Sequence, residues 1–440
     1  MLLRQFVDDD LGCASYLIGD RDTGEAVLVD PAYEIEPYLA AAEEEGVRLT
    51  RVLETHTHAD HVSGHGRLAL EEGLPVAIHA AARPEFPFEP LADGDEVPVG
   101  SVSIRVLHTP GHRPEHCAFL AGEALLSGDS LFVGSVARPD LAVDAREGAE
   151  GLFHSLRRLL ELPDAVQVFP GHVAGSLCGA GMSGSPSSTL GQERRFNRSL
   201  AISVVEEFVA ESAAATAVPR PPTMDRVVGL NRGPFLGAQP PLRRLPGSGG
   251  ATVLDVRPAR AFAAGHVSGA INVPLSASSF ATKAGFVLRT GEPVVLHAES
   301  GDEAELAARR LHSVGLLEVT GWLEDPDATE QLEPLSIEEL ERLLERGSID
   351  VIDVRESDER AEGYIAGSRH IPYRLVRACC EGLTCEKPVA TVCESGARAA
   401  VAASILLANG VQARPVLDGG VGEWQARGGR TVEFRRCGST

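Results

Sequence analysis

The sequence predicts an α/β protein of two or three domains. Its 440 residues exceed the length of one typical domain. Apolar runs typical of buried strands alternate with amphipathic helical segments such as residues 399–407, and this alternation favours parallel sheets. A long segment of the C-terminal half also occurs twice, which indicates two copies of one α/β module in tandem.

The most informative motif is THTHADH at residues 55–61, which places three imidazoles and a carboxylate in one short segment. The strand-like residues 51–54 precede it, and a helix is predicted to begin after Ser63. The motif therefore lies on a loop at a strand end, where metal ligands can converge. Its candidate ligands are His56, His58, Asp60 and His61.

Three further candidate ligands follow predicted strands and Gly or Pro turns downstream. They are His112 in TPGH, Asp129 in SGDSLF and His172 in FPGH. Neutral imidazole is the commonest transition-metal ligand, and its second nitrogen needs an acceptor to orient it. The sequence therefore predicts a metal site with additional acidic and imidazole groups around it.

Composition excludes several other classes of protein. The formal net charge of −23 would repel nucleic acid and anionic lipid, and no basic stripe offsets it. No apolar run approaches the roughly 20 residues that a membrane helix needs, and the start MLLRQFVDDD lacks the apolar segment of a signal peptide. We expect a soluble, cytoplasmic protein with no nucleic-acid or membrane partner, whose eight cysteines remain thiols.

The C-terminal half carries the internal repeat. A helix is predicted over residues 197–216, followed by a linker or wrapping arm without periodicity, rich in Pro and Gly. Beyond it, residues 254–274 match residues 352–372 at an offset of 98. Residues 292–301 then match residues 387–396 at an offset of 95.

Only the second copy of the repeat has a candidate nucleophile. Cys393 follows an apolar strand and precedes a helix, so its thiol faces backbone N–H groups and the positive end of that helix. Arg398 adds positive charge, and we assign catalytic roles to both residues. The corresponding residues of the first copy are Ala298 and Glu303, so that module is predicted to be inactive. Each copy also contains a DVR motif, at residues 255–257 and 353–355, whose Asp and Arg are expected to form an internal ion pair.

These motifs carry resemblances to two known families. The order HxHxDH, TPGH, GD and GH resembles the metallo-β-lactamase superfamily, which implies an αββα sandwich with its metal at one edge of two sheets. The Cys393–Arg398 loop with the DVR and G-x-I-x-G runs resembles rhodanese, although Tyr364 stands where that family usually has His. The fold class is therefore expected to be α/β, a metallo-β-lactamase sandwich followed by two rhodanese-like domains with parallel sheets.

The complete order of domains resembles the persulfide dioxygenase–sulfurtransferase fusions of bacterial sulfide detoxification. The expected boundaries are 1–217 for the dioxygenase domain, 218–250 for the arm, 251–330 for the inactive rhodanese-like domain and 335–435 for the active one. The resemblance includes residues 175–197 after the last candidate metal-site histidine.

The resemblance also implies a cofactor, a reaction and its partners. One Fe(II) per chain would be held by His56, His112 and Asp129, an arrangement typical of non-haem iron oxygenases. The enzyme would oxidise a low-molecular-weight thiol persulfide with O₂ to sulfite, and Cys393 would pass a sulfane sulfur to sulfite to form thiosulfate. We also expect a homo-oligomer. The groups expected to surround the iron ligands, or to bind a second metal in hydrolytic relatives, are His58, Asp60, His61 and His172.

Two alternatives remain open from the sequence. A dinuclear zinc thioester hydrolase of the glyoxalase II kind would use the same ligands, with a bridging hydroxide attacking a carbonyl. The fused sulfurtransferase and the lack of an evident C-terminal glutathione-binding extension weigh against it. A non-enzymatic thiol-sensing scaffold would require both the metal ligands and the Cys393 loop to be idle.

Overall fold

The structure is a computed structural model that describes residues 1–173, 183–215, 219–324, 326–380, 383 and 385–432. Cys178, whose role the sequence leaves open, lies outside the described residues. The chain divides into two units. Unit 1 comprises Met1–Gln239 with His312–Gly315, and unit 2 comprises Pro240–Leu311 and the chain from Leu316 onward. No helix in the described ranges is long and apolar enough to cross a membrane.

Unit 1 contains two six-stranded sheets and a short hairpin. The first sheet has the order β1 (Leu2–Val7), β2 (Ala14–Asp20), β3 (Glu25–Val29), β4 (Arg48–Leu53), β5 (Val76–His79) and β6 (Glu89–Leu91). The remaining strands are β7 (Glu96–Val99), β8 (Val102–His108), β9 (Cys117–Ala121), β10 (Ala124–Gly128), β11 (Leu131–Phe132), β12 (Ser135–Val136), β13 (Gln167–Pro170) and β14 (Ser188–Thr189). The second sheet has the order β14-β13-β10-β9-β8-β7, and β11 pairs with β12.

Helices cover the outer faces of both sheets. They are α1 (Glu36–Glu45), α2 (His65–Glu71), α3 (Ala145–Leu159), α4 (Leu190–Phe196), α5 (Arg198–Ala201), α6 (Val205–Ala215) and α7 (Thr223–Arg232), with a 3₁₀ turn at Ala80–Ala82. Between the sheets, side chains such as Ile18 and Phe119 form a shared core. Tyr38 and Leu68 pack on the outside of the first sheet, and Leu152 packs outside the second. The expected αββα sandwich is confirmed.

Two expectations about the end of unit 1 need correction. The helix predicted over residues 197–216 is two segments, α5 and α6, because Ile202 is extended. Asn197 is also extended and separates α5 from α4; its Nδ2 donates hydrogen bonds to the Ser135 carbonyl at 3.0 Å and to Glu193 at 2.9 Å. The arm is also not wholly irregular, since it contains α7.

Unit 2 contains two four-stranded parallel sheets with the same strand order. The first copy has β15 (Thr252–Asp255), β16 (Ile271–Asn272), β17 (Val294–His297) and β18 (Val319–Leu323), with helices α8 (Ala259–Ala264), α9 (Phe280–Val287) and α10 (Gly301–Ser313). Its order is β16-β15-β17-β18.

The second copy begins with α11 (Ile337–Glu345). Its strands are β19 (Asp350–Asp353), β20 (Tyr364–Ile365), β21 (Arg369–His370), β22 (Val389–Val392), β23 (Ala413–Pro415) and β24 (Thr431–Val432). Its other helices are α12 (Ser357–Ala361), α13 (Tyr373–Cys379), α14 (Ala397–Ala408) and α15 (Val421–Ala426). The main sheet has the order β21-β19-β22-β23, equivalent strand by strand to the first copy. The predicted tandem repeat is therefore confirmed.

Candidate metal centre and thiol loop

The candidate ligands converge at one edge of the sandwich. His56 follows β4, His112 follows β8 and Asp129 follows β10. All three side chains are buried. The atoms that they offer to a metal lie within 4.8 Å of one another.

Neighbouring groups fix the tautomers of both histidines. The Thr55 hydroxyl donates to Asp30 Oδ2 at 2.7 Å, so it can only accept from His56 Nδ1, 2.9 Å away. His112 Nδ1 lies 3.0 Å from the Arg138 carbonyl, which is an acceptor only. In both rings Nδ1 therefore carries the proton, and the lone pair of Nε2 is available to a metal.

The Asp129 carboxylate is also oriented by a hydrogen bond, which engages only one of its two oxygens. Its Oδ1 lies 2.9 Å from His172 Nδ1, and its backbone N–H donates to His116 Nε2 at 2.9 Å. Its Oδ2, together with Nε2 of His56 and of His112, has no hydrogen-bond partner among the described residues. Three buried, unpartnered ligand atoms around one point are costly unless a cation binds them, so this donor set fits a transition metal.

The protonation states also suit metal binding. Burial, reinforced by the charges of His58 and His112, lowers the pKa of His56 well below its ordinary value. Burial likewise lowers the pKa of His112. Burial opposes ionisation of Asp129, but His172 and His112 hold its pKa below the ordinary value. Two neutral imidazoles and one carboxylate are the forms that ligate metals.

The other candidate groups surround this cluster. His172 uses both ring nitrogens, Nδ1 with Asp129 and Nε2 with Asp60 Oδ2 at 2.7 Å. Burial would lower the pKa of His172, but these two carboxylates raise it to about 10. His58 Nε2 lies 3.3 Å from Asp30 and 3.2 Å from Glu54. His58, Asp60 and His61 nevertheless form a second group whose ligand atoms lie within 4.8 Å of one another.

Sequence reasoning missed Asn231, which lies on α7 and is buried. Its Nδ2 donates to the carbonyls of His58 at 3.0 Å and His61 at 2.8 Å, and its Oδ1 accepts from Ser63 N at 2.9 Å. One side chain of the arm thus fixes the backbone of the ligand loop. A signal for α7 was present, because Met224, Val227 and Asn231 are buried at i, i+3 and i+7 spacing.

Asp30 and Glu54 were also missed. Asp30 ends the turn after β3 with a left-handed φ of 48°, and it accepts hydrogen bonds from both the backbone and the hydroxyl of Thr55. Glu54 Oε1 accepts from the Ser63 hydroxyl at 2.5 Å and lies 3.1 Å from His65 Nδ1. Both carboxylates accept hydrogen bonds from residues of the ligand loop and so help to orient it. Neither belongs to a recognisable spacing pattern.

In unit 2, Cys393 lies directly after β22 and is fully buried. Its Sγ accepts a hydrogen bond from Gly396 N at 3.1 Å, in the turn that leads into α14. Gly396 has a φ of 84°, and a Cβ there would lie 2.2 Å from the Leu417 carbonyl, so the turn requires glycine. The loop therefore presents at least one backbone N–H to the sulfur.

The Arg398 guanidinium is bound by a carboxylate that sequence reasoning did not single out. Its Nη1 and Nη2 donate to the two oxygens of Glu359 on α12, at 2.5 and 2.6 Å. The hydrogen bond to Glu359 raises the pKa of Arg398, and the charge of Cys393 adds to the shift.

In the loop of the first copy, Ala298 replaces the thiol residue Cys393 and Glu303 replaces the cation Arg398. Ala298 is buried where Cys393 stands in the second copy. Glu303 Oε2 accepts a hydrogen bond from Glu299 N, a backbone donor of the same loop, at 3.1 Å. The described residues of this loop thus offer no thiol, and the Glu303 carboxylate places a negative charge at the loop.

The DVR motifs form the internal ion pairs that the sequence predicts. Asp255 pairs with Arg257 at 2.6 Å, and Asp353 pairs with Arg355 at 2.8 Å. Each arginine also donates to a glycine carbonyl, Gly265 in the first copy and Gly363 in the second.

Comparison with known proteins identifies the domains. Residues 8–172 match the metallo-beta-lactamase superfamily. Residues 239–323 and 336–427 each match the rhodanese-like domain. A solved structure of a metallo-beta-lactamase from Staphylococcus aureus superposes with a TM-score of 0.67 at 30% identity, covering 73% of this chain and 98% of that one.

Relatives of two activities are found. The mitochondrial persulfide dioxygenase ETHE1 of Homo sapiens is 31% identical over 236 residues, which cover 52% of this chain and 87% of that protein. A hydroxyacylglutathione hydrolase of Rhodospirillum rubrum is 36% identical over 162 residues, which cover 36% of this chain and 60% of that protein. The chain therefore belongs to the metallo-β-lactamase superfamily, with a persulfide dioxygenase among its relatives, and carries two rhodanese-like domains after the metallo-β-lactamase domain.

Proposed function

We propose that unit 1 is a persulfide dioxygenase that uses one Fe(II) held by His56, His112 and Asp129. The observation that carries the proposal is the set of three buried ligand atoms without partners, two from imidazoles and one from a carboxylate. Two histidines and one carboxylate are typical of iron oxygenases, because they leave adjacent coordination positions open. When bound, Fe(II) supplies the redox chemistry through which O₂ oxidises a sulfur atom.

The net reaction converts a thiol persulfide RSSH, O₂ and water into RSH, sulfite and two protons. Residues of this chain hold the three metal-ligand side chains in the orientation that this reaction needs. Thr55 and the Arg138 carbonyl keep the two imidazoles in the ligating tautomer. His172 binds the oxygen of Asp129 that faces away from the proposed metal and so keeps the other oxygen directed at it.

We further propose that Cys393 of the second rhodanese-like domain takes a sulfane sulfur from a second thiol persulfide, releasing the thiol RSH, and passes this sulfur to sulfite. The S–S bond of the Cys393 persulfide breaks as a new S–S bond to sulfite forms, so thiosulfate leaves and Cys393 remains as a thiolate. The N–H of Gly396 already contacts the sulfur, and the charge of Arg398 favours an anionic acceptor. The partners of the whole chain would be a small thiol persulfide, O₂ and sulfite.

The domain boundaries 1–217, 218–250, 251–330 and 335–435, a cytoplasmic location, a role in sulfide detoxification and a homo-oligomeric state belong to the same proposal. The extent of the alignments supports the dioxygenase activity. The match spans 87% of the human dioxygenase but 60% of the bacterial hydrolase.

The second candidate function is a dinuclear zinc thioester hydrolase. It is favoured by the group formed by His58, Asp60 and His61, whose ligand atoms also lie within reach of one ion. His172, however, would have to give up a carboxylate contact to bind that ion, since both its nitrogens are engaged.

The deciding experiment is metal analysis of anaerobically purified protein, with O₂ uptake measured on glutathione persulfide. One iron per chain and O₂ uptake would support the dioxygenase. Two zinc ions per chain, thioester hydrolysis and no O₂ uptake would instead establish the hydrolase. The products test the second half: the natural chain should release mainly thiosulfate, and Cys393→Ser should consume O₂ at a similar rate and release sulfite.

A further inference from the structure

The Arg398 guanidinium beside the Cys393 loop is already neutralised by a carboxylate from another element. Both of its Nη atoms are bound to Glu359, which lies on α12, whereas Arg398 lies in the first turn of α14. The pair is not sealed from solvent, because 21% of the Arg398 side chain and 35% of the Glu359 side chain are exposed. An ion in solution can therefore reach this pair.

The internal repeat shows that this carboxylate and the thiol loop go together. At the offset of 98, the residue equivalent to Glu359 in the first copy is Ala261. The copy that lacks the thiol thus lacks both the arginine and its carboxylate partner. In that copy the Glu303 carboxylate accepts a hydrogen bond from the backbone N–H of Glu299 in the loop. The carboxylate that contacts the first loop is Glu303, which stands at the position of Arg398 itself, whereas the carboxylate that contacts Arg398 in the second copy comes from the separate helix α12.

From these contacts, and resting on the sulfurtransferase activity proposed for Cys393, we infer that Glu359 is a built-in competitor that an anionic sulfur acceptor must displace from Arg398. A guanidinium has two bidentate edges, and Arg67 of this chain binds two carboxylates at once through them. The edge formed by Nη1 and Nη2 of Arg398 is occupied by Glu359, and one edge binds one oxyanion at a time. A sulfite or thiosulfate dianion that uses this edge must take the place of the Glu359 carboxylate. Glu359 thereby weakens acceptor binding and lets the product anion leave.

The other charged groups near the pair do not replace Glu359. Arg355 lies 4.0 Å from Glu394 of the loop, and it is already bound to Asp353. Glu356, the neighbouring carboxylate at the start of α12, binds Arg374 at 3.1 Å. Tyr373, on α13, interacts with Arg398, and its buried hydroxyl stays protonated at neutral pH because burial raises the pKa of Tyr373. In the part of the chain that the structure describes, removing the charge of Glu359 therefore leaves Arg398 without a carboxylate bound to it.

Competition by Glu359 and a purely structural role for Glu359 predict opposite changes in the KM for sulfite when the carboxylate is removed. In Glu359→Gln the cation is uncompensated, so the KM for sulfite should fall by about two- to fivefold, the range expected for one partly exposed ion pair. The Cys393 thiolate should also form at lower pH. If Glu359 only held Arg398 in place, its loss would let the guanidinium turn away, and KM would rise.

The test compares the full chain with Glu359→Gln, Glu359→Asp and Glu356→Gln. Gln can still accept the hydrogen bond of Glu356 N, so α12 keeps its cap. Glu356→Gln is the matched control, since it removes one carboxylate from the same helix but leaves the Arg398 pair intact. The KM for sulfite is measured with the sulfur-loaded protein. Thiolate formation is followed by ultraviolet absorbance against pH, as the difference between each variant and the same variant carrying Cys393→Ser.

Only Glu359→Gln should lower both the KM and the pH of thiolate formation, while Glu359→Asp and Glu356→Gln should stay near the natural values. An unchanged or higher KM in Glu359→Gln, in a chain whose natural form transfers sulfur, would overturn the inference alone. If the natural form transfers no sulfur, the proposed function fails. The absorbance titration then still decides whether Glu359 restrains the charge of Arg398, and an unshifted Glu359→Gln curve would reject that.

Discussion

Replacing Asn231 by Ala should weaken metal binding although Asn231 is no metal ligand. The substitution removes the three hydrogen bonds that the Asn231 side chain makes to the loop backbone, those with the carbonyls of His58 and His61 and with Ser63 N. At about 0.5–1.5 kcal/mol each, the loss is about 1.5–4.5 kcal/mol in free energy of unfolding. Because the loop also carries His56, metal affinity should fall by about 10–100-fold, as is typical when a group that orients ligands is removed.

The assay is competition for the metal with a chelator of known affinity, together with thermal unfolding of the metal-free protein. Asn197→Ala is the matched control, because Asn197 is also buried in unit 1 and its side chain bonds to Ser135 and Glu193, away from the ligand loop. Both variants should be less stable, but only Asn231→Ala should bind metal more weakly. Equal metal affinities in the two variants would refute the idea that α7 positions the ligands.

The remaining predictions concern the two proposed active sites. Substituting Ala for any of the three proposed iron ligands should remove both iron and O₂ uptake, because little else would hold a labile ion; metal analysis of each variant checks this. His58→Ala should lower O₂ uptake by about 10–100-fold but keep the iron, and a metal-free His58→Ala protein would make His58 a ligand. Cys393→Ser should abolish transfer of sulfur from thiosulfate to cyanide, measured as thiocyanate. Adding Ala298→Cys should not restore the transfer, since Glu303 repels both a thiolate and an anionic substrate.

Local sequence patterns identified the candidate ligands, and the family resemblance implied which of them surround one ion. Residues 55–61, His112 and Asp129 follow predicted strands, and the structure brings the ligand atoms of His56, His112 and Asp129 within 4.8 Å of one another. The tandem repeat was predicted from two constant offsets, and the identical strand orders follow from it. In each case the physical signal lies in the spacing between residues along the chain.

Contacts between distant segments were not predictable in this way. Asn231 lies 170 residues from His61 along the chain, and Glu359 lies 39 residues from Arg398. Neither side chain belongs to a motif, and their roles appear only when the packing of α7 and α12 is known. The break at Ile202 has the same origin, because its carbonyl accepts a hydrogen bond from the guanidinium of Arg157, which is distant in the chain, and this tertiary contact opposes the helical preference of its neighbours.

The position of Asn231 on the arm determines where the chain can be cut. A fragment that stops at residue 217, where the irregular composition begins, would omit α7 and the hydrogen bonds that Asn231 makes to the ligand loop. The arm remains attached to the sandwich as far as Gly237, whose carbonyl accepts a hydrogen bond from the Tyr33 hydroxyl at 2.9 Å. A recombinant fragment intended to keep the metal centre must therefore continue at least to Gln239, the last arm residue that belongs to unit 1, although it would still lack Ser313, whose carbonyl accepts a hydrogen bond from Val62 N of the ligand loop. A protease cut in the arm before α7 would leave every metal ligand on the N-terminal piece, with α7 held to it by non-covalent contacts such as the hydrogen bonds of Asn231 and the packing of Val227.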